Sequence, residues 1–262
     1  MRVPGSTVLL TGATGGIGHT LAHALAGRGA RVIATGRRPE ALEPLAALPG
    51  ARAIAADLAD PADLARLVEE AGPVDILVAN AALPSSGELL DYTEEQIDRA
   101  LDVNLRAPVL LARLLTPAMV AAGRGHLAMI GSISGRTASP GASLYNATKF
   151  GLRGFSLSLR QDLHGTGVGV SLIQPGFVRE AGMFAATGAT VTGARTVSPR
   201  RVADQVLAAI ERNRAEVNVA PLELRLASAL GSLFPSLAAA TQRSASARKT
   251  MRHVIAAQRD RR

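Results

Sequence analysis

An apolar run of strand length, Thr7–Thr11, passes without a linker into Thr11-Gly12-Ala13-Thr14-Gly15-Gly16-Ile17-Gly18, and a helix-like segment, Ile17–Gly27, opens within that turn. This order constrains the chain more than any other feature. Glycines allow a tight turn and a close backbone approach to phosphate oxygens, while a helix N-terminus offers unpaired N–H groups and the positive end of a dipole. The stretch is therefore predicted to seat a dinucleotide pyrophosphate. Its Gly-x-x-x-Gly-x-Gly spacing differs from the usual Gly-x-Gly-x-x-Gly, and a purely structural turn is the alternative; the flanking strand and helix supply the context that the motif requires.

Strand-like and helix-like segments go on alternating downstream. Arg31–Thr35, Arg52–Ala56, Asp75–Ala79, His126–Gly131, Val168–Gln174 and Glu216–Ala220 read as strands. Between them, residues 62–71, 94–121, 143–164 and 199–213 read as helices, the last opened by Ser198 as cap and Pro199 at the first position. Ile76-Leu77-Val78-Ala79 is apolar at every position, as expected when both sheet faces are covered. The expected fold class is α/β: a Rossmann-like, doubly wound parallel sheet of about seven strands with helices on both faces.

At 262 residues, 47% hydrophobic and 3% aromatic, the chain can build one core from Ala, Leu, Val and Ile. One domain is expected, with 1–221 as the dinucleotide-binding and catalytic unit. Residues 222–262 form an apolar segment and basic tail, belonging to the same domain or partly disordered. The absence of cysteine excludes disulfides and thiolate chemistry and fits a cytoplasmic setting. The net charge of +8 is concentrated in residues 241–262, which hold seven Lys or Arg against one Asp, so the body is close to neutral and nucleic acid is not an expected partner. Residues 222–240 are interrupted by Glu223, Arg225 and Pro235; this segment should not cross a membrane, though peripheral contact is an option.

Dinucleotide binders that use NAD place an acid after the second strand to accept hydrogen bonds from the ribose hydroxyls. Here no Asp or Glu occurs between Gly18 and Glu40, and Arg37-Arg38 stand at that strand's end. Guanidinium groups fork onto phosphate, so NADP(H) is favoured over NAD(H). Asp57, ending the third strand, is read either as a partner of the adenine amino group or as a turn cap.

Tyr145 and Lys149 stand four residues apart in a helical segment and share one face. An ammonium beside a phenol favours phenolate and lowers a pKa that is ordinarily near 10, which suits proton transfer. The chain has only two Tyr and two Lys, and one of each falls in this five-residue stretch. Ser132 follows the fifth strand, where it can hydrogen-bond a substrate carbonyl. Asn80-Ala81 ends the fourth strand, and Asn104 interrupts a long helical stretch that it is poorly suited to continue.

Taken together and in order, Thr11-Gly12-x-x-x-Gly16-x-Gly18, Asp57-Leu58, Asn80-Ala81-Ala82, Asn104, Ser132, Tyr145-x-x-x-Lys149 and Pro175-Gly176-Phe177-Val178 resemble the short-chain dehydrogenase/reductase family over roughly residues 6 to 220. The resemblance implies that Ser132 positions a carbonyl, Tyr145 exchanges the proton, Lys149 binds the nicotinamide ribose and lowers the tyrosine pKa, and Asn104 holds a relay water. It also implies cofactor contacts from Gly12, Thr14, Gly16, Ile17, Gly18, Arg37, Arg38, Asp57, Leu58, Asn80, Ala81, Tyr145, Lys149, Pro175, Gly176 and Val178. No metal is expected. A homodimer or homotetramer follows family habit, with faces around 94–121 and 143–164.

Two departures stand out. Glu180 occupies the place where relatives carry a Thr that contacts the nicotinamide carboxamide, and Gly15 stands where many NADP-using relatives are basic. The leucines and Phe234 of 222–240 resemble family members that act on lipids, steroids or retinoids, which makes a hydrophobic carbonyl or alcohol the expected small-molecule substrate. Its pocket is expected from 83–90, 136–144 and 179–196. The rival reading is a non-catalytic NADP-binding sensor on the same fold.

Overall fold

The computed structural model describes residues 1–179 and 196–242. Seven parallel strands, β1 (Thr7–Thr11), β2 (Arg31–Gly36), β3 (Arg52–Ala55), β4 (Ile76–Ala79), β5 (Gly125–Ile130), β6 (Val168–Pro175) and β7 (Glu216–Val219), form one sheet in the order β3-β2-β1-β4-β5-β6-β7. The order reverses between β1 and β4. Such a switch opens a crevice beyond the strand C-termini.

Side chains alternate along each strand, so Val8 and Leu10 enter one core layer while Leu9 enters the other. The first layer packs beneath α1 (Gly16–Gly27), α2 (Pro39–Ala46) and α7 (Pro199–Glu211). The second packs beneath α3 (Pro61–Ala71), α5 (Ala107–Ala121) and α6 (Ser143–Asp162). Ser198 caps α7 by accepting from the N–H of Arg201 at 3.2 Å, with Pro199 in the first turn.

The long helix expected over 94–121 is three pieces: α4 (Glu94–Leu101), a π-helical turn (Asp102–Arg106) and α5. Asn104 sits in the π-turn, so the irregularity expected there is present, in a form often found at functional sites. Residues 94–121 are long and apolar enough to cross a membrane, but Leu111, Ala112, Leu115 and Met119 are buried in the second core layer.

Two features were not foreseen. One is α2, which begins with Pro39 and contains Pro44, so its sequence is punctuated like a loop. The other is that 222–242 forms two helices, α8 (Leu222–Leu233) and α9 (Pro235–Gln242), separated at Phe234. Leu222, Leu226, Leu230, Leu233 and Phe234 are more than half exposed. Glu180 and most of the pocket segment 179–196 lie outside the described residues, as does the basic tail from 243 onward.

Candidate active site

The glycine turn joins the C-terminal end of β1 to α1. Gly12 has φ +62°, and a β-carbon there would lie 2.7 Å from the Ala81 Cα. At Gly18 a β-carbon would lie 2.0 Å from the Gly12 carbonyl oxygen, so both positions exclude any side chain. Gly15 caps α1 without a side-chain hydrogen bond, and the first turn holds no acidic residue. A helix end with neither a side-chain cap nor a neutralising carboxylate fits an anionic pyrophosphate. Thr14 packs against Gly36 at the end of β2, next to the exposed Arg37 and Arg38, while Ile17 leans on the first core layer.

The β4 end is tied to this turn. Asn80 donates through Nδ2 to the carbonyls of Thr11 (3.1 Å) and Gly12 (3.0 Å), and the Thr11 hydroxyl accepts from the N–H groups of Asn80 and Ala81, each at 3.0 Å. Thr11 thus organises the crevice, a role that its place at the head of the glycine motif does not by itself disclose. Asp57 caps its own turn through the Ala59 N–H at 3.0 Å and accepts from Arg99 at 2.8 Å. Burial alone would raise its carboxyl, yet hydrogen bonds from Arg99 and Ala59 with the charges of Arg99 and Arg37 hold it below the ordinary value. The turn-capping reading of Asp57 is therefore realised. Arg99, remote in sequence, gave no local signal. Leu58 is buried in the second core layer, so any cofactor contact there falls to its backbone.

Ser132 begins a short 3-10 turn (Ile133–Gly135) after β5, and its hydroxyl accepts from the Ser134 N–H at 3.2 Å. That turn is seated on α6, since a β-carbon on Gly135 would come within 2.7 Å of the Lys149 carbonyl. Tyr145 and Lys149 occupy one face of α6, with Nζ 5.9 Å from the phenol ring centre. Nζ donates to the Ile130 carbonyl at 3.0 Å. Burial pushes the Tyr145 phenol above its ordinary value, and a hydrogen bond with Ser132 pulls the other way. Burial also pushes the Lys149 ammonium down to about 8. In the protein alone, burial of the phenol dominates over the Ser132 hydrogen bond.

Asn104 reaches the β4 loop, accepting from the Leu83 N–H at 2.6 Å and donating to the Leu83 carbonyl (3.0 Å) and Ser85 hydroxyl (3.3 Å). Both amide hydrogens are engaged, so its side chain has no donor left for a relay water. Pro175 closes β6. The Gly176 N–H bonds the Val219 carbonyl, and a β-carbon on Gly176 would press on Ala220 and Leu224 at 3.1 Å. Val178 is buried and pairs with Val197. Ser132, Tyr145 and Lys149 are brought together beside β5, while the glycine turn, Asn80 and Ala81 line the β1/β4 switch. Among the described residues, no cluster of His, Asp or Glu is arranged to hold a metal ion.

Comparison with known proteins agrees with this geometry. Residues 6–192 match the family model described as short chain dehydrogenase. Ketoacyl reductase HetN of a Nostoc species is 36% identical over 225 residues, covering 82% of this chain and 78% of the relative. The NADP-dependent 3-hydroxy acid dehydrogenase YdfG of Salmonella typhi is 39% identical over 178 residues, covering 65% of this chain and 72% of the relative. The solved structure of a short-chain dehydrogenase from Sphingobium yanoikuyae in complex with NADPH superposes with a TM-score of 0.77 at 31% identity, covering 93% of this chain and 99% of that one. The chain belongs to the short chain dehydrogenase family and is an oxidoreductase acting on CH–OH and C=O groups.

Proposed function

We propose that the protein is an NADP(H)-dependent oxidoreductase that interconverts a hydrophobic ketone or aldehyde and its alcohol. The observation that carries this reading is the convergence of Ser132, Tyr145 and Lys149 beside β5, whose neighbour β4 leads into Asn80, hydrogen-bonded to the glycine turn. The cofactor, when bound, supplies or takes the hydride. Ser132 holds the carbonyl oxygen, Tyr145 gives it a proton or takes one from the alcohol, and Lys149 holds the ribose and the charge balance of the phenol. Any relay water at Asn104 is assigned to its backbone. Gly12, Gly16 and Gly18 cradle the pyrophosphate, while Pro175, Gly176 and Val178 wall the nicotinamide.

Preference for NADP(H) is supported by the exposed Arg37 and Arg38, by the lack of an acid between Gly18 and Glu40, and by the cofactor named for the YdfG and Sphingobium relatives. A hydrophobic substrate is supported by Leu90, 97% exposed in a 3-10 turn (Leu89–Asp91) at the end of the 83–90 segment, and by the apolar stripe of α8. That stripe and the basic residues after 242 also support peripheral contact with an anionic membrane. Exposed Leu114 on α5 and Phe150 on α6 support a homo-oligomer built on those helices. Residues 222–242 are assigned to the same domain as 1–221, on the hydrogen bond that the Thr137 hydroxyl donates to the Ser228 carbonyl at 3.2 Å.

The test is NADPH and NADH oxidation, and the reverse reduction, over short, aromatic, steroidal and long-chain carbonyls and alcohols. NADPH-dependent turnover with the longer apolar substrates is expected. Firm NADPH binding without turnover of any substrate in either direction would replace this reading with that of a sensor.

A further inference from the structure

Glu216, the first residue of β7, lies at the far edge of the sheet and has no place in the chemistry assigned above. Its carboxylate nevertheless gathers three segments of the site. Arg153 forks onto it from α6, one turn beyond Lys149, at 2.9 and 3.4 Å. Gln174, fully buried and immediately before Pro175, donates to it at 2.9 Å. Arg136, just after the 3-10 turn that begins at Ser132, approaches it at 3.8 Å. The next residue, Thr137, accepts through its carbonyl from the Asn146 side chain at 2.9 Å, beside Tyr145. The Nε of Arg136 and the Oε1 of Gln174 are buried without a partner, so neither side chain has another anchor through those atoms that could replace the carboxylate.

We propose that Glu216 is a positioning residue: by holding Arg136, Arg153 and Gln174 together, it fixes the Ser132 turn against the helix that carries Tyr145 and Lys149. The proposal rests on the catalytic reading of those three residues. Removing the carboxylate leaves two guanidinium groups in a mostly buried place without their shared anion, and their mutual repulsion separates the 3-10 turn from α6. The consequence at the site is a longer or lost Ser132–Tyr145 hydrogen bond. That bond is the influence pulling the phenol down, so its loss raises the pH at which Tyr145 ionises. The charged groups facing these residues are Arg136 and Arg153 at Glu216 and Lys149 at Tyr145.

The chain has two Tyr and no Trp, so ultraviolet titration of the NADP⁺-bound protein, with Tyr145→Phe subtracted, reads the Tyr145 phenol without requiring turnover. In Glu216→Ala the midpoint is expected to rise by about half a unit, and kcat to fall about tenfold per cofactor-binding site, a loss in the range of small misplacements. In alcohol oxidation, which needs the phenolate, the acid limb of kcat/KM should move up with it. Glu216→Gln keeps the length and one acceptor for Arg153; it should recover part of the rate and show a smaller rise, and it decides the matter if the alanine variant does not fold. A merely structural role would lower the folded fraction and leave both midpoints in place. An unmoved phenol titration overturns the proposal, whereas a moved titration in a protein that turns over no substrate upholds it and overturns the catalytic reading instead.

Discussion

The Nζ of Lys149 donates a 3.0 Å hydrogen bond to the main-chain carbonyl of Ile130, two residues before Ser132, and the residue is only 3% exposed. Burial lowers its pKa from 10.5 to about 8, so between those values the unfolded chain binds more protons than the folded one. Stability attributable to this group therefore rises with pH through that window. Relative to Lys149→Met, the wild-type protein should gain stability approaching about 3 kcal/mol across it. Urea unfolding at pH 7.5, 9 and 10 measures the trend, and the range ends there because the raised phenol of Tyr145 acts oppositely above pH 10. A flat difference would place the ammonium in water.

Gly18→Ala forces a β-carbon to within 2.0 Å of the Gly12 carbonyl oxygen, where only backbone can yield. The expected cost is about 2 kcal/mol of stability, within the usual range for overpacking. NADPH binding, followed by fluorescence, should weaken by more than tenfold. Gly27→Ala is the control: nothing lies within 4 Å of a β-carbon there, and the change should be neutral or slightly stabilising.

Replacing both Arg37 and Arg38 by Ala should raise the KM for NADPH by about ten- to a hundredfold, the loss of one or two charge-assisted phosphate contacts, with little change for NADH. Both side chains are exposed, so unfolding should be unaffected. Equal losses for the two cofactors would assign the 2′-phosphate to other residues.

Much of the architecture was legible because a buried parallel strand is written as an unbroken apolar run. β1 spans Thr7–Thr11 as expected, and the other strands differ from the expected bounds by about a residue at their ends. Among the helices, α2 was obscured by Pro39 and Pro44, residues that punctuate loops as readily as they begin helices. At the site, Tyr145 and Lys149 share a face because helical spacing alone places them there. The partners of Asp57, Asn104 and Glu216 were hidden, since Arg99 is 42 residues from Asp57 and Arg153 is 63 from Glu216, and only the folded sheet brings them together. Desolvation was equally hidden: the sequence carries the ammonium beside the phenol, but not the burial that shifts both.

The most direct test of the catalytic reading is Tyr145→Phe assayed with the best carbonyl substrate found, together with NADPH binding to the same preparation. Loss of turnover by about a thousandfold, as befits removal of the general acid, with the NADPH dissociation constant within about threefold of wild type, is the expected result. Turnover retained within tenfold would contradict the assignment of Tyr145 as the proton-transferring residue.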